Sequence, residues 1–136
     1  MKKQSAFTLI ELMIVITIIA ILAAVGYPVY TNQIKKGRRS DAQQLLLETA
    51  SKEEQYILAA RAYTTSFTDL SVTKDNWTCT AATCSNNFYD AVITVDNSAA
   101  PPVYEVKATP KGAQADDGIL TLDSTGARTH GTDTKW

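Results

Sequence analysis

Residues 7–25, FTLIELMIVITIIAILAAV, form an almost unbroken apolar run whose one charge is Glu11. As a helix these 19 positions rise about 28 Å, close to the roughly 30 Å of a bilayer's hydrocarbon core. The run therefore reads as a membrane segment before anything else in the 136-residue chain is considered. Three readings compete. A secretory signal peptide is suggested by Lys2 and Lys3 ahead of the run and by the small-x-small site Ala24-Val25-Gly26. Against it, the run exceeds the usual apolar length of such signals, about 7–15 residues. An acid at mid-membrane depth also costs about 2.5–3.5 kcal/mol, less near the edge. A plain anchor explains the length but gives Glu11 no purpose. A short cleaved leader followed by a retained anchor is the third reading.

Beyond the run, helical spacing continues. Ala42, Leu45, Leu46, Thr49, Tyr56, Ile57 and Ala60 recur at three- and four-residue steps, which predicts one apolar stripe on a helix running from Phe7 to about Ala60. Glu53 falls inside that stripe, and the pattern offers no reason for it. Leu47 and Leu58, eleven apart, share the opposite side; they are stray exposed leucines or contacts for neighbouring subunits. Such a helix is too long for a compact domain of this size, so its N-terminal half is expected to protrude. Pro28 lacks a backbone N–H and should kink it near Ala24, with Gly26 adding freedom.

Residues 62–88 show no clean period and read as a Thr-, Ser- and Asn-rich loop. Strands are expected over 89–96, where Ala91, Ile93 and Val95 alternate, and over 103–109, where Tyr104, Val106 and Ala108 share a face. A third is expected at 119–123, and DSTG turns into a fourth near Arg128. Strands in succession without an intervening helix imply an antiparallel sheet with one face on the helix, an α+β fold.

The stretch AFTLIELMIVITIIAILAAVGYPVY closely resembles the N-terminus of the type IV pilin family: a short basic leader, a small residue, F-T-L-I-E-L, an apolar run and a proline. A weaker resemblance to a minor-pilin branch continues through RRSDAQQLLLETASKEEQYIL and GILTLDSTGARTHGTDTKW. The resemblance implies a type IV pilin fold: a long N-terminal helix with a protruding apolar half, packed on about four antiparallel strands. It implies a leader at 1–6, a transmembrane and filament-core segment at 7–28, and a periplasmic or extracellular head at 29–136. A prepilin peptidase would cut between Ala6 and Phe7, and the Phe7 amine would be N-methylated. Phe7, Glu11 and Pro28 would serve assembly, with the Glu11 carboxylate meeting the Phe7 amine of a neighbouring subunit. A buried cation and a buried anion each cost several kcal/mol alone, which pairing offsets in large part. The implied partners are other pilin subunits, the peptidase, the inner-membrane assembly platform, and the inner membrane itself before assembly into a surface pilus. Such pili serve twitching, adhesion or DNA uptake.

Chemistry elsewhere is sparse. Cys79 and Cys84 suggest a disulfide in an oxidising compartment, closing a ring so small that the entropy model gives only about 2 kcal/mol. The one histidine, His130, reads as an ordinary surface residue, too little for a zinc site. Asp116, Asp117, Asp123 and Asp133 follow no EF-hand spacing and read as scattered loop acids. No catalytic, metal or cofactor site is expected, and the protein is not read as an enzyme. Loss of the leader would leave 11 cations against 14 acids, a balance of −3, so no specific nucleic-acid partner is expected. Many minor-pilin relatives bridge their tail by cysteines at the positions of Asp117 and Lys135, which are therefore expected to lie close together. The alternatives are a type II secretion pseudopilin, or a membrane-tethered periplasmic binding protein.

Overall fold

The structure is a computed structural model that describes residues 7–136. Ala6, one side of the expected cut, lies outside the described residues. Helix α1 runs from Leu9 to Ala60 as a single 52-residue element, with Pro28 inside it. By its contacts the chain falls into two units, Met1–Lys36 and Gly37–Trp136. In the first, residues 7–30 are exposed throughout. A helix segment apolar on every side and exposed throughout keeps its surface for lipid or for other helices.

In the second unit, α1 buries Ala42, Leu45, Leu46, Thr49 and Glu53, while Tyr56 and Ile57 pack at the edge of the core. Ala60 is exposed, so the stripe stops one turn earlier than its spacing suggests. The helix ends where Arg61 enters the left-handed region at φ 58°, and its N–H closes on the Ile57 carbonyl at 2.8 Å.

The sheet has six antiparallel strands in sequence order: β1 (Thr78–Cys79), β2 (Cys84–Ser85), β3 (Tyr89–Asp96), β4 (Val103–Pro110), β5 (Leu120–Asp123) and β6 (Arg128–His130). The central pair, β3 and β4, is in full register from Tyr89↔Pro110 to Asp96↔Val103. Their alternation puts Tyr89, Ala91 and Ile93 with Tyr104, Val106 and Ala108 in the core. Leu120 and Leu122 extend this face, and Tyr63, Phe67, Leu70, Val72 and Trp77 of the segment after the helix complete it. Two strands are additional to the four expected. Both are two-residue pieces inside the supposed loop, too short to show a period. Cys79 and Cys84 stand directly opposed in register and are joined by a disulfide, and β2 also pairs with the edge of β3. The connector between β4 and β5 is a 3-10 turn, Gly112–Asp117, ended by Gly118 at φ 87°. A Cβ on Gly118 would stand 3.1 Å from the Gly131 Cα, so this crossing of connector and tail needs glycine.

Candidate functional site: the N-terminal helix and the clamp on the head

Phe7 is 88% exposed. Thr8 starts the helix, and the Glu11 carboxylate turns back onto it. Glu11 Oε2 accepts from the Thr8 N–H and from the Thr8 hydroxyl, both at 2.9 Å, while the Glu11 N–H donates to Thr8 Oγ1 at 3.3 Å. This is a capping box. The spacing T-x-x-E at Thr8–Glu11 announces it in the sequence, and the reading of Glu11 as a charge partner alone overlooks it. Both side-chain contacts use Oε2. Further along, the one other polar side chain of the run satisfies itself: the Thr17 hydroxyl donates to the Met13 carbonyl at 2.7 Å. The helical assignment continues across Pro28, which leaves the Ala24 carbonyl without its i+4 donor. The Thr31 hydroxyl donates to the Pro28 carbonyl at 3.0 Å.

In the head, a buried polar cluster fastens α1 to the connector and tail. The Arg39 guanidinium grips Asp117 with two bonds, Nε to Oδ2 at 2.8 Å and Nη2 to Oδ1. The Tyr89 hydroxyl donates to Asp117 Oδ2 at 2.7 Å, and Gln114 Nε2 donates to the Tyr89 oxygen at 3.3 Å. Burial alone would raise the Asp117 carboxyl; the bonds from Arg39, Tyr89 and Gln114 outweigh it and hold the group at about 2. Burial, then the bond to Asp117, raises Tyr89 above its ordinary value.

This arrangement corrects two expectations. Asp117 is no solvated loop acid; its side chain is 4% exposed. It pairs with Arg39, 78 positions away and 28% exposed. His130 is half-buried, with Nε2 against the Asp117 carbonyl oxygen and 4.0 Å from Oδ2. The tail is held without a bridge by other means. Trp136 Nε1 donates to the Thr121 carbonyl at 2.9 Å, and the Arg128 guanidinium lies 5.0 Å from the Trp136 ring centre.

Elsewhere, Trp77 Nε1 donates to Asp41 at 2.7 Å, and Lys74 pairs with the same carboxylate at 3.1 Å. Leu47 and Leu58 stay exposed, Leu58 at 84%. Among the described residues no group of three or more His, Cys, Asp or Glu is placed to hold a metal ion.

Comparison with known proteins adds the following. Residues 1–27 match the Prokaryotic N-terminal methylation motif. Residues 28–121, well over half of the chain, match the family described as Type IV minor pilin ComP, DNA uptake sequence receptor. Among curated proteins, the chain is 58% identical over 41 residues to Prepilin peptidase-dependent protein D of Escherichia coli, which is 30% of this chain and 28% of that protein. It is 58% identical over 38 residues to Fimbrial protein EcpB of Eikenella corrodens and to the Type IV major alpha-pilin of Moraxella bovis, 28% of this chain and 24% of each. The chain thus spans about a quarter of the length of the curated relatives it matches. No solved structure matches it. A long helix whose first half is apolar and whose second half buries Ala42, Leu45, Leu46, Thr49 and Glu53, a six-stranded antiparallel sheet, the methylation motif and the match over 28–121 together place this chain in the type IV minor pilin family.

Proposed function

We propose that this chain is a structural, non-enzymatic subunit of a bacterial type IV pilus. In this reading a prepilin peptidase cuts between Ala6 and Phe7, and Phe7 is N-methylated. Residues 7–28 hold the subunit in the inner membrane while the head, residues 29–136, faces the periplasm. An assembly platform then draws it into the filament with other pilins. The observation that carries the reading is the helix: its apolar half is unburied, the one charge of that half, Glu11, stands in the first turn, and the helix continues into a folded head. Glu11 is the group that meets the new Phe7 amine, and Pro28 is the weak point that lets the rod pack with curvature. Glu11 can hold its Thr8 cap and still meet an amine, because both bonds to Thr8 fall on one oxygen. Mass spectrometry of membrane and filament fractions tests this: a methylated Phe7 as first residue, found in filaments, is expected. A mature chain starting at Tyr27, free in the periplasm, would overturn it.

The family description supports a second reading, a receptor for a DNA uptake sequence. The side-chain balance of −3 after processing gives no bulk attraction to DNA, so such binding would rest on specific contacts. Sequence-selective binding of a labelled duplex at low salt would support it, and the absence of binding would remove it. The named relatives are fimbrial or peptidase-dependent proteins and lend no support to a secretion pseudopilin.

A further inference from the structure

The buried stripe of α1 contains one ionisable group, Glu53, which is 0% exposed. It sits under residues 61–72, whose apolar side is buried through Tyr63, Phe67, Leu70 and Val72. Its Oε2 accepts one hydrogen bond, from the Thr64 N–H at 3.2 Å. Its Oε1 has no hydrogen-bond partner among the described residues. The ionisable groups that face it are Glu54 on the helix, Tyr63 on the covering segment and Tyr104 on β4; among the described residues no cation joins them. The two tyrosine rings meet edge-on with centres 4.7 Å apart, and the Tyr63 hydroxyl donates to Glu54 at 3.2 Å. The covering segment is also held along its length: the Phe67 N–H donates to the Ala81 carbonyl at 3.1 Å, and Phe67, Leu70 and Val72 are buried in the core. Asn97 clasps the Tyr63 N–H and carbonyl at 2.9 and 3.0 Å, and Lys52 donates to the Ser71 carbonyl at 2.6 Å.

A carboxylate with a single N–H donor, beside a second acid and among aromatic rings, is poorly tolerated; the neutral acid is not. We propose that Glu53 is a proton-controlled fastening for residues 61–72. As the neutral acid it seats the segment on α1, and as the carboxylate, its proton lost to solvent, it draws in water and lets the segment lift. Burial pushes the Glu53 carboxyl up to about 7; the Thr64 N–H opposes this and the Glu54 charge adds to it. The change therefore falls near neutral pH, where a surface-exposed subunit would meet it.

Hydrogen exchange on the full chain in detergent micelles tests the proposal, with amide protection corrected for intrinsic rates at pH 5.5 and 8.5. With proton release near 4.5 in the lifted segment and near 7 in the seated one, protection across residues 61–72 should fall about 30-fold over that interval. Amides of the β3–β4 ladder should stay better protected than those of the segment at both pH values, and Glu53→Gln should abolish the dependence. Equal corrected protection at both pH values would overturn the idea. If Glu53→Gln fails to fold, the Glu53 δ-carbon resonance of the unaltered protein decides. A midpoint near 7 that coincides with the loss of protection supports the fastening. An ordinary glutamate midpoint, or a midpoint near 7 with protection unchanged across it, overturns it.

Discussion

Glu11 carries two separable tasks. One is the cap it forms with Thr8, and the other is the charge it offers to an amine. Thr8→Ala removes the cap, which costs about 1 kcal/mol of helix stability, and leaves the charge. Glu11→Ala removes both. Filament yield should survive Thr8→Ala and collapse with Glu11→Ala; equal collapse in the two would reduce Glu11 to a capping residue. At Asp117 the logic is the reverse, because one carboxylate has several partners. Arg39→Ala leaves a charge whose side chain is 4% exposed without its cation. Breaking such a pair costs about 3–5 kcal/mol, and Arg39's partial exposure puts the expected loss at the lower end, about 3 kcal/mol by denaturant unfolding. Arg39→Lys keeps the charge but not the fork and should lose less. A loss under about 1 kcal/mol for Arg39→Ala would mean that Tyr89 and Gln114 hold Asp117 unaided.

The long elements were legible because each repeats. Tyr104, Val106 and Ala108 alternate on β4, and Ala42, Leu45, Leu46 and Thr49 step along α1, so period and burial agree. What lacked a period was missed: β1 and β2 are two residues each, and a covalent link joins them. The Arg39–Asp117 clamp was illegible for a different reason. It joins residues 78 apart, and no local pattern marks a long-range ion pair. Glu53 showed only as an acid inside an apolar stripe. These elements differ in what their loss should do. The residues that α1 contributes to the core begin at Ala42, so a chain truncated to residues 29–136 should fold cooperatively and stay soluble, as thermal unfolding and sedimentation would show. Aggregation, or a transition without cooperativity, would mean that the head needs the apolar half. Reduction of Cys79–Cys84 opens a ring of six residues and should cost about 2 kcal/mol, with the largest loss of amide protection in residues 78–85 and the fold retained. Loss of the whole fold on reduction would contradict this local account.

Across the whole molecule, two buried carboxyls pull stability in opposite directions with pH. Folded, Glu53 keeps its proton up to about 7; its ordinary value is 4.5. Between these values the folded chain holds a proton that the unfolded chain has released, so stability falls as pH rises. The slope approaches about 1.4 kcal/mol per unit, and the total comes to roughly 3 kcal/mol by pH 8. Asp117 does the opposite. Folded, it takes a proton only near 2, and its ordinary value is 3.8. Its contribution is complete above about pH 4 and is lost as pH falls towards 2, which amounts to about 2 kcal/mol. Asp96 and Asp123, both lowered by hydrogen bonds in their turns, act in the same direction as Asp117. The unfolding free energy should therefore peak between about pH 4 and 5 and decline through neutrality, below the range where most proteins are most stable. Denaturant titrations at half-unit pH steps measure the curve. Glu53→Gln should flatten the branch above pH 5 and leave the acid branch in place, while Asp117→Asn should flatten the acid branch and lower the whole curve, since Arg39 then loses its anion. A wild-type curve flat from pH 5 to 8 would show that the head hydrates Glu53 without cost, and that the covering segment is already open.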